Sequence, residues 1–184
     1  MKKFILVFVT LITAVSWGQN EYELNRDAET NRVQYQGVIE NSGLSKAELY
    51  KLGIAYFESK GMKLDFQDES LGRVVTEATF STIGKNNAYS KAYHYNFSCE
   101  LTVEFKEGKT RYTFDNFMKK SSPGEPGSTL ETFIENYQPK ISSQKNRDRQ
   151  AKMLDDIEID IDSQIGDMIV DLKKQFGTEA ESDW

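Results

Sequence analysis

The stretch from Tyr95 to Phe117 limits the possible folds more than any other part of the chain. Tyr95, Phe97, Cys99, Leu101, Val103 and Phe105 alternate with Asn96, Ser98, Glu100, Thr102 and Glu104. Successive side chains of a strand point to opposite faces, so this period of two makes one apolar face and one polar face. Lys106-Glu107-Gly108-Lys109 then reverses the chain, with Gly108 able to adopt a positive φ. Thr110 to Phe117 returns as a second strand rich in aromatic and β-branched residues. A long antiparallel hairpin with one dry side must be covered, so the rest of the chain is read as its cover.

Met1 to Gly18 stands apart from that task. Lys2 and Lys3 precede an apolar run, Phe4 to Val15, and Ser16-Trp17-Gly18 supplies small residues at a cleavage position. The pattern predicts a secretory signal cut after Gly18, with an apolar run too short to remain as an anchor. No cysteine lies near the cut, so lipidation is not expected. Export to the periplasm or beyond follows, with no stable membrane anchor after cleavage. Removing residues 1–18 takes away two lysines and no acid, so the formal charge moves from −6 to −8. An acidic chain lacks the cations that nucleic acid or an anionic membrane surface would require. Cys99, the single cysteine of the 184 residues, cannot form an internal disulfide and reads as a small buried hydrophobe.

Residues 19–31 are polar without periodicity and read as a flexible leader. A single domain is expected over 32–176: a core at 33–118, a connector at 119–145 and a C-terminal helix at 146–176. A disordered tail, 177–184, would follow. Within the core, Arg32 to Glu40 alternates weakly as a first strand. Ser45-Lys46-Ala47-Glu48 is a capping box, which starts a helix running to Lys60 with Leu49, Leu52, Tyr56 and Phe57 on its buried stripe. Gly61 suits a left-handed stop. Met62 to Phe66 and Val74 to Ser81 read as strands, with a loop at Gly84 to Asn87. Ser128 to Glu131 repeats the capping pattern before a short helix ended by Pro139. In the last segment Leu154, Ile157, Ile161, Ile165, Met168, Leu172 and Phe176 recur at three- and four-residue steps. The run Asp156 to Asp162 also alternates like a strand, but the helical pattern holds for about six turns and prevails.

The order β-α-β-β-β-β-α behind a signal peptide resembles a bacterial family of domains of unknown function with a TBP-like fold, DUF4468. The resemblance rests on Gly43-Leu44-Ser45-Lys46-Ala47-Glu48-Leu49-Tyr50, on the pair Tyr56-Phe57, and on Leu101 to Phe114 with Gly108-Lys109-Thr110-Arg111-Tyr112. It implies an α+β domain in which a curved five-stranded antiparallel sheet, TBP-like or helix-grip-like, holds a long C-terminal helix in its concave face. It implies no activity, and the fold name does not imply DNA binding.

Chemistry-bearing groups are sparse. His94, the one histidine, falls with Asn96, Ser98 and Glu100 on the polar strand face, far short of a nucleophile–base–orienter set. One histidine and one buried cysteine cannot supply a zinc site. Counted from Asp156, the sixth position of a calcium loop would be Ile161 where glycine is needed, so the helix acids read as a solvated face. Glu77, Glu100 and Glu104 could form a glycosidase-like pair only if two faced each other across a cleft. There is no phosphate-binding glycine loop, and no cofactor is expected. Ile159, Gly166 and Val170 fall off the main stripe of the last helix and are the candidate contact for a protein partner or a second copy. The expected function is a non-enzymatic extracytoplasmic interaction module. The alternatives are a carrier of a small apolar ligand between sheet and helix, and a hydrolase of envelope polymers using surface carboxylates.

Overall fold

The computed structural model describes residues 24–41, 43–86, 91–121, 127–137 and 144–177. The signal segment, residues 19–23, Pro139 and the tail beyond Gly177 lie outside these residues. The chain runs β1 (Tyr35–Glu40), α1 (Lys46–Ser59), β2 (Leu64–Asp68), β3 (Arg73–Asn86), β4 (Lys91–Lys106), β5 (Lys109–Lys120), β6 (Ser128–Thr129), α2 (Leu130–Tyr137) and α3 (Gln144–Phe176). All pairings are antiparallel in the order β1-β5-β4-β3-β2, with β6 added to the free part of the β5 edge. The expected five strands are thus joined by a short sixth. The two-residue β6 falls where a capping box was expected. Thr129, not Ser128, caps α2, its hydroxyl oxygen accepting from the Thr132 N–H at 3.2 Å.

The opening hairpin forms as its alternation requires. Phe97, Cys99, Leu101, Val103 and Phe105 of β4 are buried, and Gly108 turns the chain with φ 65°. On β5 the phase slips once. Ser98 pairs with Met118 and Glu100 with Asp115, so Cys99 faces both Asn116 and Phe117 in a β-bulge. Asn116 absorbs the extra residue at φ 51°, a left-handed conformation asparagine tolerates better than most residues.

α1 starts as predicted. The Glu48 carboxylate accepts the Ser45 N–H at 2.9 Å, and the Glu48 N–H donates to the Ser45 hydroxyl. Its buried residues are Leu49, Tyr50, Gly53 and Phe57, while Leu52, expected inside, is exposed. The helix is rotated so that Gly53, which has no side chain, seats against the Phe105 ring of β4. Gly61 closes the helix at φ 67°.

α3 is one helix of 33 residues, about 50 Å long at ~1.5 Å per residue. It crosses the concave face with Leu154, Ile157, Ile161, Ile165, Leu172 and Phe176 buried against the sheet. Gly84, expected in a loop, lies inside β3, which continues to Asn86. A Cβ there would stand 3.1 Å from Ile157 Cδ1, Met153 Cγ and Tyr95 Cε2, so the helix rests on the strand at that point. The helix is also tied along its length. Tyr35 of β1 donates to Asp162 at 2.8 Å, and Tyr56 of α1 donates to Asp171 at 2.8 Å beside the Lys60–Asp171 ion pair at 2.6 Å. The helix acids are therefore not one solvated face, since Asp162 is engaged and Glu158 is buried.

The segment expected as a flexible leader enters the fold at Leu24. Leu24 and Val33 are buried in the core, Arg26 bridges Val33, and the carboxylate of Asp27 accepts from Thr30 in the intervening turn. Leu24 is an isolated apolar residue in a polar run and carries no period, yet it is buried with Val33, which was expected at the start of the first strand.

Candidate functional site

The three residues singled out on the last helix share its outer face. At about 100° per residue, Ile159, Gly166 and Val170 fall within ~40° of one another. Ile159 is 48% and Val170 64% exposed, and a side chain added at Gly166 would meet nothing. The opposite face carries the fully buried Ile157, Ile161 and Ile165. Asp156 and Lys174 flank the exposed line towards its two ends.

The polar face of the sheet gathers the carboxylates. Glu77 pairs directly with Glu100, and Glu100 with Asp115, so three acids stand in a row across β3, β4 and β5. Glu77 accepts the Lys120 ammonium at 2.8 Å, and Glu104 holds Arg111 in an ion pair. Burial, and next the Glu100 charge, push the Asp115 carboxyl above the usual carboxylate range, while Arg73 and Arg32 pull it back. A shallow groove of about 220 Å³ lies over Glu77 and Glu100 of the row, walled also by Asp65 and Asn116. His94 lies on the same face, exposed, opposite Ile83 and outside that groove. Among the described residues no three His, Cys, Asp or Glu side chains are placed to hold a metal ion. Cys99 is buried on the other face. Burial, followed by the charges of Asp115 and Glu77, pushes its thiol up to about 12, so it stays protonated and unreactive at neutral pH.

A second concavity escaped the sequence. β1 covers β5 from Lys109 to Phe114 and β6 covers Met118 and Lys119, which leaves the bulge at Asp115–Phe117 without a strand on that edge. A cleft of about 360 Å³ fills the gap. Its walls are the turn bearing Arg26 and Arg32, the bulge residue Asn116, and α2 with Thr129 and Glu131 at its start and Glu135 further along. Arg26 donates to the Asn31 carbonyl at 2.9 Å and Glu131 accepts the Val33 N–H at 2.9 Å, so these two charges hold the wall together. One sequence signal pointed here. Phe114 and Phe117 are both buried at an odd spacing, which a strand permits only with an extra residue between them.

A curved antiparallel sheet with one long helix across its concave face places the chain among α+β proteins of the TBP-like fold. The family described as "Domain of unknown function (DUF4468) with TBP-like fold" matches residues 35–119 of this chain. The chain is similar in structure to a DUF4468 family protein from Bacteroides ovatus, with a TM-score of 0.55 at 14% identity, covering 82% of this chain and 89% of that one. It is also similar to a TBP-like protein from Parabacteroides distasonis, with a TM-score of 0.51 at 10% identity, covering 78% and 94%. At such identities the likeness concerns the fold alone. No curated protein matches the chain. Among the described residues no helix is long and apolar enough to cross a membrane.

Proposed function

We propose that the chain is an exported, non-enzymatic interaction module of the bacterial envelope and that the outer face of α3 is its contact surface. The contrast between the two faces of α3 carries this reading. The inner face is closely packed, with Ile157, Ile161 and Ile165 fully buried and a Cβ at Gly84 only 3.1 Å from its side-chain neighbours. The outer face leaves Ile159 and Val170 in solvent with an open position at Gly166 between them. A carrier of an apolar ligand would need room between helix and sheet, which the contact at Gly84 argues against. A hydrolase would need two free acids facing one another across a cleft, whereas Glu77 and Glu104 are held by Lys120 and Arg111, and Asp115, the neighbour of Glu100, is not among the residues that wall the groove.

The partner we assign is a second copy. Isologous contacts require a self-complementary surface. Asp156 and Lys174 lie on the same side of the seam at nearly equal distances from its centre, beside Gly166. Antiparallel two-fold pairing then sets Ile159 against Val170 and Asp156 beside Lys174 of the other copy, and the glycine lets the helices approach. The seam is small beside the roughly 1,200–2,000 Å² of a standard interface, so the dimer is weak.

Sedimentation velocity of mature protein over a concentration series tests this. The expected result is a monomer–dimer equilibrium that Ile159→Asp abolishes and that Asp156→Lys weakens until Lys174→Glu is added. A strict monomer at the highest concentration, with hydrogen exchange along α3 unchanged, overturns it. Export is tested by N-terminal sequencing of protein recovered from the envelope or medium, expected to begin at Gln19.

A further inference from the structure

The edge cleft holds two opposite charges, Arg32 and Glu135, that the fold does not tie into a hydrogen bond or ion pair among the described residues, although Arg32 also acts at longer range on Asp115. Arg26 and Glu131 are engaged within the wall. Arg32 and Glu135 line the same cleft from different segments, and neither side chain makes a hydrogen bond or ion pair among the described residues. Two cations and two carboxylates balance the lining. A net anion would meet Glu131 and Glu135, and a net cation would meet Arg26 and Arg32. An apolar ligand would strip water from all four charges without replacing it. A molecule carrying both signs satisfies both free groups at once. The volume, about 360 Å³, lies at the small end of the range for ligand sites.

We propose that this cleft binds a small zwitterion, a free amino acid or a dipeptide. Its carboxylate meets the planar Arg32 guanidinium, which suits a two-point contact, and its ammonium meets the Glu135 carboxylate. Asn116 lines the cleft from the uncovered bulge, and Thr129 lines it at the start of α2, where its hydroxyl already caps the helix. The site is independent of the outer face of α3, and either can fail without the other.

The experiment is an amide-resolved NMR titration of the mature chain with L-alanine and with L-alanyl-L-alanine. The expected result is saturable shifts centred on residues 26–32, 116–118 and 129–135, with a Kd in the range of about one to ten millimolar for a ligand this small. Tighter binding of the dipeptide or of the amino acid identifies the source and supports the site in either case. N-acetyl-alanine, alanine amide, Arg32→Gln and Glu135→Gln should each weaken binding about tenfold or more, because each removes one charged partner. Both side chains are at the surface, so the variants fold, which their unperturbed spectra away from the cleft would verify. Absence of saturable shifts, equal binding of the capped compounds, or equal binding by both variants overturns the proposal.

Discussion

Replacing Cys99 by alanine should make the protein less stable at neutral pH and more stable at alkaline pH. The thiol is 1% exposed at the bulge between β4 and β5, so losing one sulfur atom from the core costs about 1 kcal/mol near pH 7. The pH dependence runs the other way. Burial raises the folded thiol from an ordinary 9.0 to about 12. A group whose folded pKa is raised contributes fully below its unfolded pKa and loses that contribution as pH rises through the window between the two values. The unfolded chain releases its proton from about pH 9 while the folded chain keeps it. Wild-type stability therefore falls by ~1.4 kcal/mol per pH unit on this account alone. By pH 11, two units into the window, the loss reaches about 2.7 kcal/mol, which exceeds the packing cost of the alanine. Tyr56 and Tyr95, also raised mainly by burial, are common to both proteins and cancel in the difference. Urea melts of wild type and Cys99→Ala at pH 7, 9, 10 and 11 give the test. The two stability curves should cross near pH 10. Parallel curves would show that the thiol ionises as readily in the folded protein as outside it, and would refute the argument from burial.

Ile161, fully buried at the middle of α3, should cost about 2–5 kcal/mol when replaced by alanine, measured by urea denaturation. Thr110→Val should be neutral or stabilising by the same assay, because the Thr110 hydroxyl is buried without a hydrogen-bond partner and a methyl group carries no such penalty. Tyr56→Phe should raise the pKa of Asp171 in a carboxyl-detected NMR titration. Lys60 first and then Tyr56 hold that carboxylate below its ordinary range, which contributes stability above the unfolded value that is lost as pH falls through the folded one. An unmoved Asp171 would mean that the Lys60 pair alone sets it.

The parts of the fold written in hydrophobic period were legible. β4 alternates for eleven residues and α3 repeats at three and four for six turns, so both survive as drawn. The strand-like run Asp156 to Asp162 lost to the longer pattern because Ile157 and Ile161 are both buried on a helix, while Ile159 between them points to solvent. What was not legible depends on single residues in three-dimensional contact. Leu24 packs although no neighbour repeats it, Leu52 turns outward because Gly53 is the residue that fits Phe105, and Gly84 sits in a strand because α3 needs a place without a side chain. Glycine read as a loop signal is a statement about backbone freedom, and here the missing Cβ is what matters. The outer face of α3 could be read from helical spacing. Of the edge cleft only the bulge could be, from the odd Phe114–Phe117 spacing, since its walls come from segments about a hundred residues apart.

The bulge at Asn116 links the core to that cleft. By inserting one residue opposite Cys99 it turns Phe117 back into the core and shifts the ladder so that β1 pairs only as far as Phe114. The same slip leaves Met118 and Lys119 to pair with β6, which carries the chain directly into α2 and brings Glu131 and Glu135 to the edge. A regular β5 would place Phe117 on the polar face, because Phe114 and Phe117 are an odd number of residues apart. Core packing therefore requires the extra residue, and the extra residue opens the gap in the sheet edge. Asparagine serves there because it accepts φ 51°, and it lines the space it creates. Glycine would keep the conformation and remove the amide, so Asn116→Gly separates the two roles: the fold and the Cys99 titration should persist while ligand-dependent shifts at the cleft weaken.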